Sequence, residues 1–179
     1  MDILALRAKS PQFVIGLMSG TSCAGIDAAL WDLKAKSAGK RVCQLLTDKP
    51  LDRVRLYASG GCRYDWRDNP QQLIEEALEY IGAGYTAMKF RIGTDWSWDG
   101  VTVDRFLGLV RELAQTVAGR MELMLDGNCR LTEEQALPIG KDVDRLGGVW
   151  VDEANPRQQL DGYAQTNAAV EMTVSAGAG

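Results

Sequence analysis

The feature that most constrains the fold is a regular alternation of strand-like and helix-like segments over residues 59–179. The predicted strands end near Arg91, Asp126, Asp152 and Ala178, at intervals of 26 to 35 residues. Strands that alternate with helices form right-handed crossovers and therefore a parallel sheet. This repeat length is typical of a (β/α) barrel, whose complete eightfold form takes about 250 residues. The sequence predicts an α/β fold with about four strands of such a barrel.

The segment YTAMKFRIG, residues 85–93, carries two cations within an apolar run. Its alternation puts Met88, Phe90 and Ile92 on one face of a strand and Lys89 and Arg91 on the other. The two cations could face water on a surface strand, or they could point into an enclosed site. The segment alone leaves both interpretations open.

The strand ends favour the second interpretation. In a (β/α) barrel the carboxyl ends of the strands face the active site, so Lys89, Arg91, Asp126 and Asp152 would converge there. Clustered carboxylates favour a hard divalent cation such as Mg²⁺, and a nearby lysine can be tuned to accept a proton. Asp126 could equally begin a turn in DGN, and Asp152 could be a solvated strand end, so the prediction depends on their repeated placement.

Composition and charge exclude several classes of function. The net charge is −4 and no basic tract is present, which argues against a nucleic-acid partner. No apolar stretch approaches the roughly 20 residues of a membrane span, and the N-terminus does not resemble a secretion signal. The four cysteines lack metal-ligand spacing, so we expect reduced thiols and a cytoplasmic location. The chain has no histidine, which excludes histidine ligands and bases within it.

Five stretches in consecutive order resemble the mandelate racemase and muconate lactonizing branch of the enolase superfamily. They are GIDAALWDLKAKSAGKRV, GYTAMKFRIG, LMLDGN, WVDEANP and LDGYAQTNAAVEM. The resemblance implies an α+β capping domain that closes over a (β/α)7β barrel. Residues 1–24 would then be an atypical N-terminal segment, and residues 25–58 the end of the capping domain with the crossing into the barrel. Residues 59–179 would be the first, incomplete part of the barrel.

The same resemblance implies a reaction, in which Mg²⁺ assists removal of the α-proton of a carboxylate substrate, leading to dehydration or racemisation. The family's Lys-x-Lys pair falls on Lys89 and Arg91, with the arginine in the position of the base. Because a guanidinium is a poor base, Arg91 is expected to act as an electrophilic clamp, and Lys89 as the remaining base or carboxylate contact. An acid sugar is the favoured substrate, since arginine can orient a carboxylate or a hydroxyl.

The resemblance also implies the metal ligands. The first two metal-binding acids of the family fall on Asp126 and Asp152, whereas the third falls on Ala178, which cannot bind a metal. Asn128 and Glu153 would lie close to these ligands as possible supporting residues. The sequence thus predicts a magnesium site with one protein ligand missing, and weak or absent activity of the chain by itself.

Two alternatives remain open. The chain could be a non-catalytic, truncated barrel that completes its fold by association with itself, because a partial parallel sheet leaves strand edges unpaired. The segment IGLMSGTSCAGIDAAL, residues 15–30, is also similar to the N-terminal signature of anhydro-muramic acid kinases. Those sugar kinases usually carry an aspartate after the GTS turn, where this chain has Cys23 and Ala24.

Overall fold

The computed structural model describes residues 24–93, 96 and 100–176, which fall into two compact units with the division between Leu56 and Tyr57. In the first unit, the apolar stripe of residues 24–38 predicts a helix, which α1 (Ala24–Ser37) confirms. Residues 40–57 are expected to be extended, but they contain the short helix α2 (Val42–Leu46). The side chain of Gln44 accepts a hydrogen bond from the Arg41 amide at 2.7 Å, which closes this single turn. One helical turn is too short to produce a periodic apolar pattern, so the sequence did not reveal it.

The second unit is a parallel sheet whose strands are connected by helices. Its strands are β1 (Ala58–Gly60), β2 (Ala87–Arg91), β3 (Glu122–Asp126), β4 (Trp150–Asp152) and β5 (Thr173–Ser175). Its helices are α3 (Gln72–Gly82), α4 (Val103–Val117), α5 (Glu133–Arg145) and α6 (Leu160–Ala169). All neighbouring strands pair in parallel, in the order β1-β2-β3-β4-β5. Sequential parallel order with a helix in every crossover is the arrangement of a (β/α) barrel, which confirms the predicted fold class.

The described sheet has five strands rather than the four expected from the sequence. The additional strand is β1, where Ala58 and Gly60 pair with Met88 and Phe90 of β2. It is only three residues long and contains a glycine, so it carries little strand propensity of its own. Its strand character comes from pairing with β2.

One face of β2 builds the hydrophobic core. Met88, Phe90 and Ile92 have no exposed surface, and they pack with α4 residues such as Phe106 and Leu113. This face confirms the alternation predicted for residues 85–93. Lys89 and Arg91 therefore belong to the opposite face of the sheet.

Helix caps fix where the crossover helices begin. The spacing of Thr132 and Gln135 predicts a capping box at the start of α5. In the structure, Thr132 accepts a hydrogen bond from the Gln135 amide at 3.3 Å, and the Gln135 side chain accepts one from the Thr132 amide at 3.0 Å. The apolar spacing in α3 predicts a buried stripe that includes Leu78, but Leu78 is exposed and Glu76 is buried instead. Among the described residues, no helix combines the length and the apolar character needed to cross a bilayer.

Candidate active site

The parallel register brings the polar strand ends to one edge of the sheet. Arg91 is the register partner of Asp126, Asp126 of Asp152, and Asp152 of Ser175. Lys89 precedes Arg91 by two residues and shares its face of β2. The sheet itself therefore brings together the four charged residues singled out from the sequence and adds a serine to them.

Lys89 forms ion pairs with both carboxylates. Its Nζ lies 3.1 Å from Oδ2 of Asp126 and 2.9 Å from Oδ2 of Asp152. The three side chains are largely removed from water, with exposed fractions of 12% for Lys89, 7% for Asp126 and 16% for Asp152. Partial burial makes such pairing stronger than at an exposed surface, because water screens it less.

The other oxygen of each carboxylate is held by a neutral donor. The backbone N–H of Asn128 donates to Oδ1 of Asp126 at 3.0 Å, and the Ser175 hydroxyl donates to Oδ1 of Asp152 at 2.6 Å. Hydrogen bonds to charged acceptors are among the stronger ones in proteins. Both carboxylates are thus oriented so that their Oδ2 atoms face the same cation.

The environment of Lys89 favours its charged form. Burial alone would lower the pKa of the ammonium, but the hydrogen bond to Asp152 and the charges of Asp126 and Asp152 outweigh burial. The pKa of Lys89 consequently lies above its ordinary value. In this arrangement Lys89 keeps its proton. It can act as a base only after its contacts with Asp126 and Asp152 are broken.

Arg91 is less tightly engaged than Lys89. Its Nε lies 3.9 Å from Oδ2 of Asp126 and, within the described part of the chain, this buried nitrogen has no hydrogen-bond partner. The side chain remains 39% exposed. Because part of its side chain is exposed, the Arg91 guanidinium is a suitable contact for a carboxylate or hydroxyl of a ligand.

Two buried aromatic residues hold the backbone at the end of β2, and the sequence did not point to them. The Tyr64 hydroxyl donates to the Arg91 carbonyl at 2.7 Å, and Nε1 of Trp66 donates to the Ile92 carbonyl at 3.2 Å. Their rings meet edge to face with centroids 5.9 Å apart. The only sequence signal was their position after β1, in the loop that a barrel places at its active-site end.

The loops after β3 and β4 are joined to each other beyond the strands. The amides of Gly127 and Cys129 donate to the carbonyls of Asp152 and Glu153 at 2.8 Å and 2.6 Å. Asn128, Cys129 and Glu153 adopt positive φ angles of 50°, 57° and 44°. Asn128 therefore reaches the site through its backbone, while the Glu153 carboxylate lies 3.5 Å from a guanidinium nitrogen of Arg157.

The donor set partly fits a divalent cation. Asp126 and Asp152 supply two carboxylate oxygens directed at one point, which is the ligand type that Mg²⁺ prefers. The described residues contain no group of three or more acidic, cysteine or histidine side chains suited to a metal. Ala178, the position implied for the third ligand, lies outside the described residues. The site therefore offers the type of ligand that Mg²⁺ prefers, and the described residues supply two such ligands.

Comparisons with known proteins agree with this architecture. A family model described as enolase C-terminal domain-like matches residues 72–178, and a second, the mandelate racemase / muconate lactonizing enzyme N-terminal domain, matches residues 2–47. The first match alone covers more than half of the chain.

The alignments with individual relatives cover most of this chain but less than half of each relative. D-galactarolactone cycloisomerase of Agrobacterium fabrum is 34% identical, over 89% of this chain and 40% of the relative. D-gluconate dehydratase of Thermoproteus tenax is 29% identical, over 89% of this chain and 32% of the relative. The solved L-talarate dehydratase of Polaromonas sp. JS666, complexed with Mg and L-glucarate, is 22% identical, with a TM-score of 0.67, over 84% of this chain and 40% of that structure.

These relatives are acid-sugar cycloisomerases and dehydratases, and none of the three is a sugar kinase. The kinase interpretation of residues 15–30 finds no support, and most of that segment lies outside the described residues. The chain spans 32% to 40% of the length of the two curated relatives. On its family matches and its fold, the chain belongs to the mandelate racemase / muconate lactonizing enzyme branch of the enolase superfamily.

Proposed function

We propose that this chain carries the metal-binding and proton-transfer side of an acid-sugar enzyme, of the dehydratase or racemase type. The reaction would remove the α-proton of a small-molecule carboxylate. The observation that carries the proposal is the pairing of Lys89 with Asp126 and Asp152 at adjoining strand ends. Lys89 lies at the end of the sheet where barrels hold their active sites, and it would become an acid/base group once its two carboxylate partners engage a cation.

Each site residue has a distinct role in this proposal. Asp126 and Asp152 would hold Mg²⁺, which supplies Lewis-acid stabilisation of the charge that develops on the substrate carboxylate. Lys89 would accept the proton or contact the carboxylate, and Arg91 would orient the substrate through the exposed part of its guanidinium. Asn128 would support Asp126 through its backbone N–H, as it does in the observed hydrogen bond.

The acid-sugar substrate class is supported by the relatives, whose names include galactarolactone, gluconate and talarate. The cation is supported by the solved relative complexed with Mg and by the two convergent carboxylates here.

We also propose residues 25–58 as the end of a capping domain and residues 59–179 as the first part of the barrel. The two family-model matches, to residues 2–47 and 72–178, support a division of this kind.

We expect weak Mg²⁺ binding and slow turnover from these residues alone. The implied third ligand position is Ala178 and the implied base position is Arg91. Mg²⁺ releases its water reluctantly and depends on a well-ordered ligand set, so two carboxylates would hold it loosely. Loss of a positioned acid or base typically lowers a rate by about 10²- to 10⁴-fold.

The test is exchange of the α-proton for deuterium in D₂O, followed by NMR, with a panel of acid sugars in the presence of Mg²⁺. We expect slow exchange that Lys89→Ala abolishes, while the exposed-site control Lys141→Ala retains the wild-type rate. Rapid exchange that depends on Lys89 would contradict the expected weakness of the site. If neither Mg²⁺ nor any acid sugar perturbs the amide signals of residues 126–128 and 152, the non-catalytic alternative is the better account.

A further inference from the structure

Lys89 occupies the position from which a cation would contact both carboxylates. Its Nζ lies within 3.1 Å of Oδ2 of Asp126 and 2.9 Å of Oδ2 of Asp152. The Oδ1 atoms are already engaged by the Asn128 amide and the Ser175 hydroxyl. The two Oδ2 atoms face the same point, so a divalent cation that bridges both carboxylates there would engage the oxygens that Lys89 holds.

The charges of Lys89, Asp126 and Asp152 also indicate that Lys89 and a divalent cation would compete for the same oxygens. Lys89 touches both carboxylates, whereas Arg91 approaches Asp126 alone, through an Nε that is 3.9 Å from Oδ2. An ammonium that remained beside the same oxygens would repel a bound dication, in a site where burial reduces screening. The flexible four-carbon stem of a lysine allows the ammonium to leave while the strand stays in place.

We infer that Lys89 is the resident counter-cation of Asp126 and Asp152, and that it must leave both Oδ2 atoms before a divalent cation can engage them. This inference builds on the metal site of the proposed function. It adds an order of events: the divalent cation first replaces Lys89 at the two carboxylates, and Lys89 is free for other contacts only after that. The same residue would thus restrain metal binding in the free protein and become available to a substrate afterwards.

The direct test measures the Kd for Mg²⁺ by calorimetry, and for Mn²⁺ by electron paramagnetic resonance, in the wild type and in Lys89→Met. Methionine keeps an unbranched stem and removes the charge, so we expect binding at least about tenfold tighter in Lys89→Met, which corresponds to about 1.4 kcal/mol. Lys141→Met, which removes an exposed charge on α5, should leave the Kd unchanged. Equal or weaker binding by Lys89→Met, or no binding by either protein, would overturn the inference.

A second measurement does not depend on the variant folding. In wild-type protein labelled with ¹³C at the lysine ε-carbon, Mg²⁺ should shift the Lys89 resonance, with a midpoint equal to the calorimetric Kd, and leave the Lys141 resonance in place. Binding without a change at Lys89 would refute the displacement. Tighter binding by Lys89→Met without any α-proton exchange in the wild type would uphold this inference while the proposed function fails, so the two failures are distinguishable.

Discussion

Replacing Tyr64 by phenylalanine removes one hydroxyl from the end of β2 and keeps the buried ring. That hydroxyl donates to the Arg91 carbonyl at 2.7 Å, and Tyr64 has no exposed surface. A neutral hydrogen bond contributes about 0.5–1.5 kcal/mol net, but removing only the donor leaves the acceptor unsatisfied, which costs the larger amount of about 1–3 kcal/mol. We therefore expect Tyr64→Phe to lower the free energy of unfolding by about 1–3 kcal/mol.

The assay is urea unfolding followed by tryptophan fluorescence, with the midpoint and the slope fitted separately. Tyr85→Phe is the matched control, because the side chain of Tyr85 is 37% exposed, and its loss should change the free energy of unfolding by less than about 0.5 kcal/mol. Because Tyr64 holds the backbone of Arg91, amide exchange at residues 91–93 should also become faster. A Tyr64→Phe protein as stable as Tyr85→Phe would refute the reasoning.

Three further predictions follow from contacts elsewhere in the chain. Burial, with the charges of Cys129 and Glu153, raises the pKa of Tyr163 to about 12, so the folded chain keeps a proton that the unfolded chain loses near pH 10. Its stabilisation is present below pH 10 and lost between about pH 10 and 12, and Tyr163→Phe should show a shallower decline in that window by urea unfolding. Thr132→Ala removes the α5 cap and should lower the free energy of unfolding by about 0.5–2 kcal/mol, measured in the same way. We expect self-association, because the outer edges of β1 and β5 are unpaired among the described strands, and a stable monomer at high concentration in light scattering would contradict this.

Periodicity was sufficient to predict four of the five described strands and the common edge where the charged strand ends meet. The alternation around Lys89 and Arg91 gave the correct faces of β2, because one face had to enter an apolar core. Short elements escaped prediction for a physical reason. Strand β1 and helix α2 have too few residues to show a period, and their conformations depend on pairing with β2 and on the contact between Gln44 and Arg41.

Several important polar contacts could not be predicted from the sequence, since they depend on register and loop conformation. Ser175 reaches Asp152 only because β4 and β5 pair with those two residues opposite each other. The buried carboxylate of Glu76 accepts hydrogen bonds from the Gly61 amide at 3.0 Å and the Tyr80 hydroxyl at 2.8 Å, although its place in α3 resembled an ordinary surface position. Neither contact has a signature in local sequence.

The positive φ angles of Cys129 and Glu153 have a consequence for attempts to make the protein more robust. Residues other than glycine adopt this left-handed backbone conformation at a cost of about 1–2 kcal/mol each. Replacing either residue by glycine is therefore an obvious substitution to try for stability. Both residues lie in the joined loops at the edge of the candidate active site, and their side chains would be lost in the exchange. A substitution chosen for thermal stability would therefore also change the edge of the candidate active site, so a library selected for stability should be screened for ligand binding as well.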